Sequence, residues 1–314
     1  MAGLTAVPGI RVGHATDPIA RTGCTVIIGP FRAACEVSGM ATGSRELAAL
    51  SPLHVSPLAH AILLTGGSAF GLDAAAGVVG WLEERGAGFD AGVVRVPIVP
   101  AAVIFDLAVG DARRRPDAAM GRAACEAAGT GEVEEGAVGV GTGATVGKLY
   151  GAEAAMRGGV GSWAVEGRGF VVGALVVVNA VGDVLDADGR IIAGARRGGE
   201  FVDTARAIRE GALLPGRPET VEGGGLFSGT NTTLAVVATD APLTRPALQA
   251  VARLATTALA RRINPVHTPF DGDITFAVST AVEPREMTPE FVLTIGTMAA
   301  YALEVAIERA VSGQ

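Results

Sequence analysis

Five residues of this chain stand where their types and spacing could do chemistry: Thr232, Lys148, Asn179, Asp271 and Asp273. Thr232 lies at the seam where the loop Ser228-Gly229-Thr230-Asn231 runs straight into the β-branched apolar stretch 232–239. Such a junction is ordinary punctuation, but it also places a hydroxyl, the functional group of a serine or threonine nucleophile, at the head of a strand. Lys148 is the only lysine in the chain and closes the glycine ladder 139–147. A lysine so presented can lower the pKa of a nucleophile or hold a proton-transfer geometry. The ladder is not a P-loop, because Thr142 stands where a glycine is required and Leu149 where a hydroxyl is. Its looser match to a dinucleotide fingerprint lacks the buried strand that should precede it. Asn179 ends the most strand-like run, 170–178; an asparagine there is a turn former and equally a neutral donor for an oxyanion. Asp271 and Asp273 flank Gly272 at a strand entrance. They read as solvated turn acids, as a metal pair with His267, or as acids that orient an amine and a hydroxyl for general-base work. The last reading needs an amine. No metal and no cofactor is expected.

Composition narrows the function classes. The net charge of −7 and pI near 5.2 argue against a nucleic-acid partner, which would require a basic face. The densest basic cluster, Arg113 to Arg115, is flanked by Asp111 and Asp117 and reads as a solvated loop. Hydrophobic residues make up 49% of the chain, yet no uncharged apolar run reaches the roughly 18 residues of a membrane span, so no membrane partner is expected. The start of the chain lacks a basic segment followed by an apolar one, and the expected compartment is the cytoplasm. Cys24, Cys35 and Cys125 fit neither a zinc site nor a disulfide framework and read as reduced thiols. Forty-five glycines with only 4% aromatics predict closely packed backbones and a small-residue core.

The elements that must position these residues follow from local pattern. Residues 24–28 and 61–64 predict strands, the first ended by Gly29-Pro30 and the second by Thr65-Gly66-Gly67. From Ser68, as an N-cap, a helical period runs to about Gly86. Strand, glycine turn and helix together aim backbone N–H groups of Gly66, Gly67 and Ser68 at whatever occupies the turn, a candidate substrate site. Residues 93–107 predict an extended crossing, and 116–128 a helix. The run 170–178 is apolar on both faces and predicts a central covered strand, with 181–185 as a hairpin return. Glycine and proline dominate 189–229, which predicts a linker with one short helix around 202–213. Thr244 and Pro246 open a helix reaching about Arg262, 274–281 is a strand, and Thr288-Pro289-Glu290 opens a last helix reaching about Val311.

Several stretches together resemble the DmpA-like family of L-aminopeptidase/D-esterases, β-peptidyl aminopeptidases and nylon-oligomer hydrolases. They are Gly9-Ile-Arg-Val-Gly-His14, Thr65-Gly-Gly-Ser-Ala-Phe-Gly-Leu72, Val96-Pro-Ile-Val-Pro100, 141–148, Asn231-Thr232-Thr233 and 265–273. The resemblance runs along nearly the whole chain. It implies an α+β protein, a four-layer αββα sandwich of the N-terminal-nucleophile type, that cleaves itself between Asn231 and Thr232. The products would be 1–231, with a flexible tail at about 214–231, and 232–314. It also implies Thr232 as nucleophile, attended by Lys148, Asn179, Asp271 and Asp273, and places Phe105 near a substrate-contacting tyrosine of relatives. Small amides or short peptides would be the substrates, and several αβ units would assemble into a homo-oligomer. Threonine with Asp-x-Asp is more like the nylon-oligomer hydrolase branch than the serine peptidases with Ser-x-Glu, so the choice among α-peptides, β-peptides, esters and oligoamides stays open. An ornithine acetyltransferase-like acyl transferase and an uncut binding protein are the rival readings.

Overall fold

The computed structural model describes residues 3–212 and 231–312. Its frame is a mixed sheet with nine strands among the described residues. Across it the strands run Gly159–Gly167, Phe170–Asn179, Thr232–Thr239, Ile274–Ser279, Thr22–Val37, Ala59–Thr65, Ala101–Val103 and Ser44–Arg45, with Arg11–Asp17 also paired to the long Thr22–Val37 strand. The Thr232 strand is central and buried along its whole length. It runs antiparallel to Phe170–Asn179 and parallel to Ile274–Ser279.

Three apolar cores explain how the β-branched strands are covered. In chain order the described α-helices are α1 (Ala74–Glu83), α2 (Ala118–Glu126), α3 (Thr204–Arg209), α4 (Arg245–Arg262) and α5 (Pro289–Val311); Ala235 and Val237 face a core shared with α4 and α5. Leu234, Val236 and Ala238 face a second core built with Ile27, Ile62, Leu64 and Phe276. The third lies between Val26, Ile28, Leu63 and the helices flanked by Asp73 and Asp117 at their starts, Ala74–Glu83 and Ala118–Glu126. In each strand successive side chains alternate between two cores, as the period of two requires. The abundance of glycine has its reason here. A Cβ on Gly161 would stand 2.0 Å from the carbonyl oxygen of Ala306 in α5, and one on Gly121 would stand 2.0 Å from that of Ala74. Helices lie close on the strands and on each other only because these positions carry no side chain. Helix α5 is long and apolar enough to cross a membrane by length and composition; half of its most apolar window is buried against the protein.

Several expectations need correction. The long strand does not stop at Gly29-Pro30 but passes through it with a register shift between Ile28 and Phe31. Ser68 is no N-cap: a 3-10 turn, Ser68–Asp73, starts after Gly67, and the α-helix begins only at Ala74. The supposed linker is built structure up to residue 212. It holds the short strands Ile191–Ala193, Arg196–Arg197 and Glu200–Phe201 and the helix Thr204–Arg209, tied together by Asp183, which accepts from Ala195 N and from Thr204 N and Oγ1. The tether 214–230 lies outside the described residues; Asn231 is buried and bridged to Asp271.

Substituting Gly161→Ala should lower the unfolding free energy by about 1–3 kcal/mol through overpacking against α5. Urea unfolding of both chains measures it, and an unchanged midpoint would refute the close-approach reading.

Candidate active site

The register of the central strand brings three chain segments to one point. Asn179, last residue of the antiparallel neighbour, pairs directly with Thr232, first residue of its own strand. The parallel neighbour starts at Ile274, opposite Leu234, so the preceding Asp271-Gly272-Asp273 lies beside Asn231 to Thr233. A loop at 38–41 pins that tripeptide from outside: Ser38 N and Gly39 N donate to Asp273 O at 3.0 and 3.1 Å, and Ala41 N to Asp271 O at 2.9 Å.

Around the 231–232 peptide bond the geometry is specific. Thr232 Oγ1, on a residue only 3% exposed, donates to the carbonyl oxygen of Asn231 at 2.5 Å. Gly272 N donates to the same oxygen at 2.9 Å. That carbonyl is therefore polarised by two donors, one of them a backbone N–H with no signature in sequence. A Cβ at position 272 would stand 2.9 Å from Thr232 Oγ1, so the glycine leaves the hydroxyl its room. Asp273 Oδ1 accepts from Thr233 N at 2.6 Å, and its Oδ2 accepts from His267 N and faces His267 Nδ1 at 2.8 Å. His267 thus braces Asp273, and among the described residues no group of three or more His, Cys, Asp or Glu could hold a metal.

Lys148 reaches the same point from the other side. Gly147, at φ 70°, and Lys148 donate their N–H groups to Gly182 and Val181, which clamps the end of the glycine ladder to the turn after Asn179. Lys148 Nζ donates to Asn179 O at 3.0 Å and to Asn179 Oδ1 at 2.7 Å. Asn179 Oδ1 also accepts from Thr145 N, and Asn179 Nδ2 donates to the Phe105 carbonyl. Burial pushes the Lys148 ammonium down to about 7, while the negative fields of Asp271 and Asp106 pull it back up. For Asp271, burial and the neighbouring Asp273 push the carboxyl up to about 6; hydrogen bonds from Thr268 and the field of Lys148 oppose them.

The turn at Gly66, Gly67 and Ser68 is not an open anion cradle. Its N–H groups donate to Gly23 O, Asp106 Oδ1 and Ile104 O, so its donors are used within the fold. Asp106, which the sequence reading missed, is the reason. Buried at 3% exposure, it also accepts from Thr22 Oγ1 at 2.6 Å, and burial raises its pKa. Its only signal in sequence is an acid within an otherwise apolar run. Phe105 lines a cavity of about 530 Å³ together with Lys148 and Thr145.

The mixed α+β frame that carries this site has a counterpart among solved structures. The L-aminopeptidase D-Ala-esterase/amidase of Ochrobactrum anthropi, described as a variant of the Ntn-hydrolase fold, superposes with a TM-score of 0.72 at 21% identity, covering 98% of this chain and 85% of that one. The fold is that of an N-terminal-nucleophile hydrolase. Residues 2–313 match Peptidase family S58, and the chain belongs to that family. It is a hydrolase of amide bonds. An uncharacterized aminopeptidase of Mycobacterium tuberculosis is 42% identical over 98% of this chain and 92% of its own length. A 6-aminohexanoate-oligomer endohydrolase of Kocuria sp. is 34% identical over 90% of this chain and 76% of its own.

Because Lys148 is the sole lysine, selective carbon labelling of lysine gives one side-chain resonance. In an intact Thr232→Ala chain it should titrate near 7, whereas a midpoint at the unperturbed value of about 10.4 would mean the ammonium is solvated.

Proposed function

We propose that the chain cuts its own Asn231–Thr232 bond and then uses Thr232 as the N-terminal nucleophile of an amide hydrolase. The observation that carries this reading is the hydrogen bond from Thr232 Oγ1 to the carbonyl oxygen of the residue before it, with Gly272 N on the same oxygen. In the uncut chain the Oγ1 attacks the Asn231 carbonyl carbon, and Gly272 N–H stabilises the oxyanion. The proton of the hydroxyl passes to neutral Lys148, which Asn179 holds beside the strand end. Lys148 returns that proton to the Thr232 nitrogen as the C–N bond breaks, an ester joins Asn231 to Thr232, and water releases 1–231 and 232–314. The new α-amine, with an ordinary pKa near about 8, serves as base for its own hydroxyl. Asp273 fixes the start of the strand through Thr233 N, and Asp271 sets the charge of Lys148. Substrate hydrolysis repeats the chemistry through an acyl-enzyme.

The layer order that goes with this reading is αββα. Helices α4 and α5 cover one half of the sheet, the helices Ala74–Glu83 and Ala118–Glu126 cover the other, and the second core lies between the halves.

Mass spectrometry of the purified protein tests the proposal: two fragments, the smaller beginning at Thr232, are expected, and one chain of 31.5 kDa with full amidase activity would refute it. Thr232→Ala should remain uncut. Gly272→Ala, which crowds the hydroxyl and shifts the N–H donor, should slow cutting at least about tenfold. The base must be the neutral amine, so cutting accelerates as pH rises through about 7, where Lys148 loses its proton, and fades below it. A pulse-chase gel read from about pH 6 to about pH 8 measures the slope, and a rate that falls with rising pH would exclude Lys148 as the base.

A further inference from the structure

The cavity beside Lys148 has a charge pattern that the hydrolytic reading does not use. Its wall is largely apolar, with Phe105, Leu107, Val109 and Met156 supplying the larger side chains. Its charged lining residues are Lys148, Arg21 and Arg157, and among the described residues no acid lines it. Of the other arginines some find carboxylates, as Arg122 does in Glu84, Arg309 in Glu135 and Arg262 in Glu304, and others, such as Arg45 and Arg285, do not among the described residues. Arg21 and Arg157 make no ion pair with any described residue.

Both arginines are built into elements that also hold the site. Arg157 lies in the short strand Met156–Arg157, directly opposite Thr145, whose N–H donates to Asn179 Oδ1. Arg21 has φ 54°, a left-handed backbone that glycine or asparagine would take more readily. Its carbonyl oxygen packs against Gly143 in the glycine ladder, where a Cβ would stand 2.3 Å away. An arginine thus stands at a turn whose backbone does not favour one, lining a cavity one hydrogen bond from Asn179.

An α-ammonium in this cavity would meet positive charges and no compensating acid, whereas a carboxylate would gain charge-assisted, fork-shaped hydrogen bonds from guanidinium. We infer that the cavity takes an apolar substrate arm that ends in a carboxylate, held by Arg21 and Arg157, so that the substrates are amides whose leaving amine carries a free acid end. The inference rests on the hydrolase reading above. In the step it describes, Thr232 Oγ1 takes the acyl group as the amide C–N bond breaks. The leaving amine departs with the proton and its carboxylate, and water then hydrolyses the ester.

The test compares the linear 6-aminohexanoate trimer with its C-terminal carboxamide, by kcat/KM, on the fully cut protein. The free acid should be preferred by at least about tenfold, the range of a hydrogen bond to a charged group. The preference should shrink to within about twofold in Arg21→Gln/Arg157→Gln and fall to an intermediate value in Arg157→Lys, since a lysine keeps the positive charge without the fork. Equal kcat/KM for acid and carboxamide in the unaltered protein, or a preference unchanged in the double variant, overturns the inference and leaves the amidase reading standing. A fully cut protein that hydrolyses neither this pair nor a panel of amino-acid p-nitroanilides and β-amino-acid amides overturns both.

Discussion

The strand Thr232–Thr239 has an antiparallel neighbour on one edge and a parallel one on the other, and the site is a consequence of that pairing. An antiparallel neighbour ends where this strand begins, and a parallel neighbour begins there. Asn179 and the tripeptide before Ile274 are therefore delivered to Thr232 by topology. The register is held by burial: a slip of one residue would exchange Leu234, Val236 and Ala238 with Ala235 and Val237 between two differently shaped cores. Packing far from the chemistry thus fixes which residues meet at residue 232.

Within that frame the two acids on either side of Gly272 do different work. Asp273 turns both carboxylate oxygens onto N–H groups, at Thr233 and His267, and so braces the strand end and its loop. Asp271 is held on one oxygen by Thr268 and lies in the field of Lys148. Burial drives both groups of the Lys148–Asp271 pair toward neutrality, and their mutual attraction drives them back. Burial so brings the Lys148 ammonium down to about 7, where it can give up its proton near neutral pH. An exposed lysine could not.

Much of this was legible in the sequence, and the remainder was hidden for physical reasons. The runs at 170–178 and 232–239 and the helices α4 and α5 are long, periodic and bounded, so their elements followed. Lys148 stood out as a solitary lysine, and Asp271 and Asp273 as paired acids. Gly272 could not stand out, because what matters is its N–H and its missing side chain, and every non-proline residue has the first. Asp106 was masked by apolar neighbours, and its partners Thr22 and Gly67 lie far away in sequence. Residues 189–212 misled because strands two or three residues long carry no period, and glycine-rich composition looks the same in a tether as in tight turns. The Gly66-Gly67 turn misled in the same way: the pattern shows N–H groups converging, not that a buried aspartate already occupies them.

The Asp-Gly-Asp tripeptide then reads as one device. Its two ends need carboxylates, one to hold the strand and one to face the lysine. Its middle needs an N–H beside the Asn231 carbonyl and no side chain beside Thr232 Oγ1. Glycine alone meets the middle requirement, since any Cβ there would crowd the hydroxyl it serves. The loop at 38–41 closes the device from outside, and Gly39 is required there in turn, because a Cβ on it would stand 2.2 Å from Asp273 N. A motif that sequence presents as two acids around a spacer is in three dimensions a brace, a donor and an electrostatic partner for Lys148, each set by a different atom.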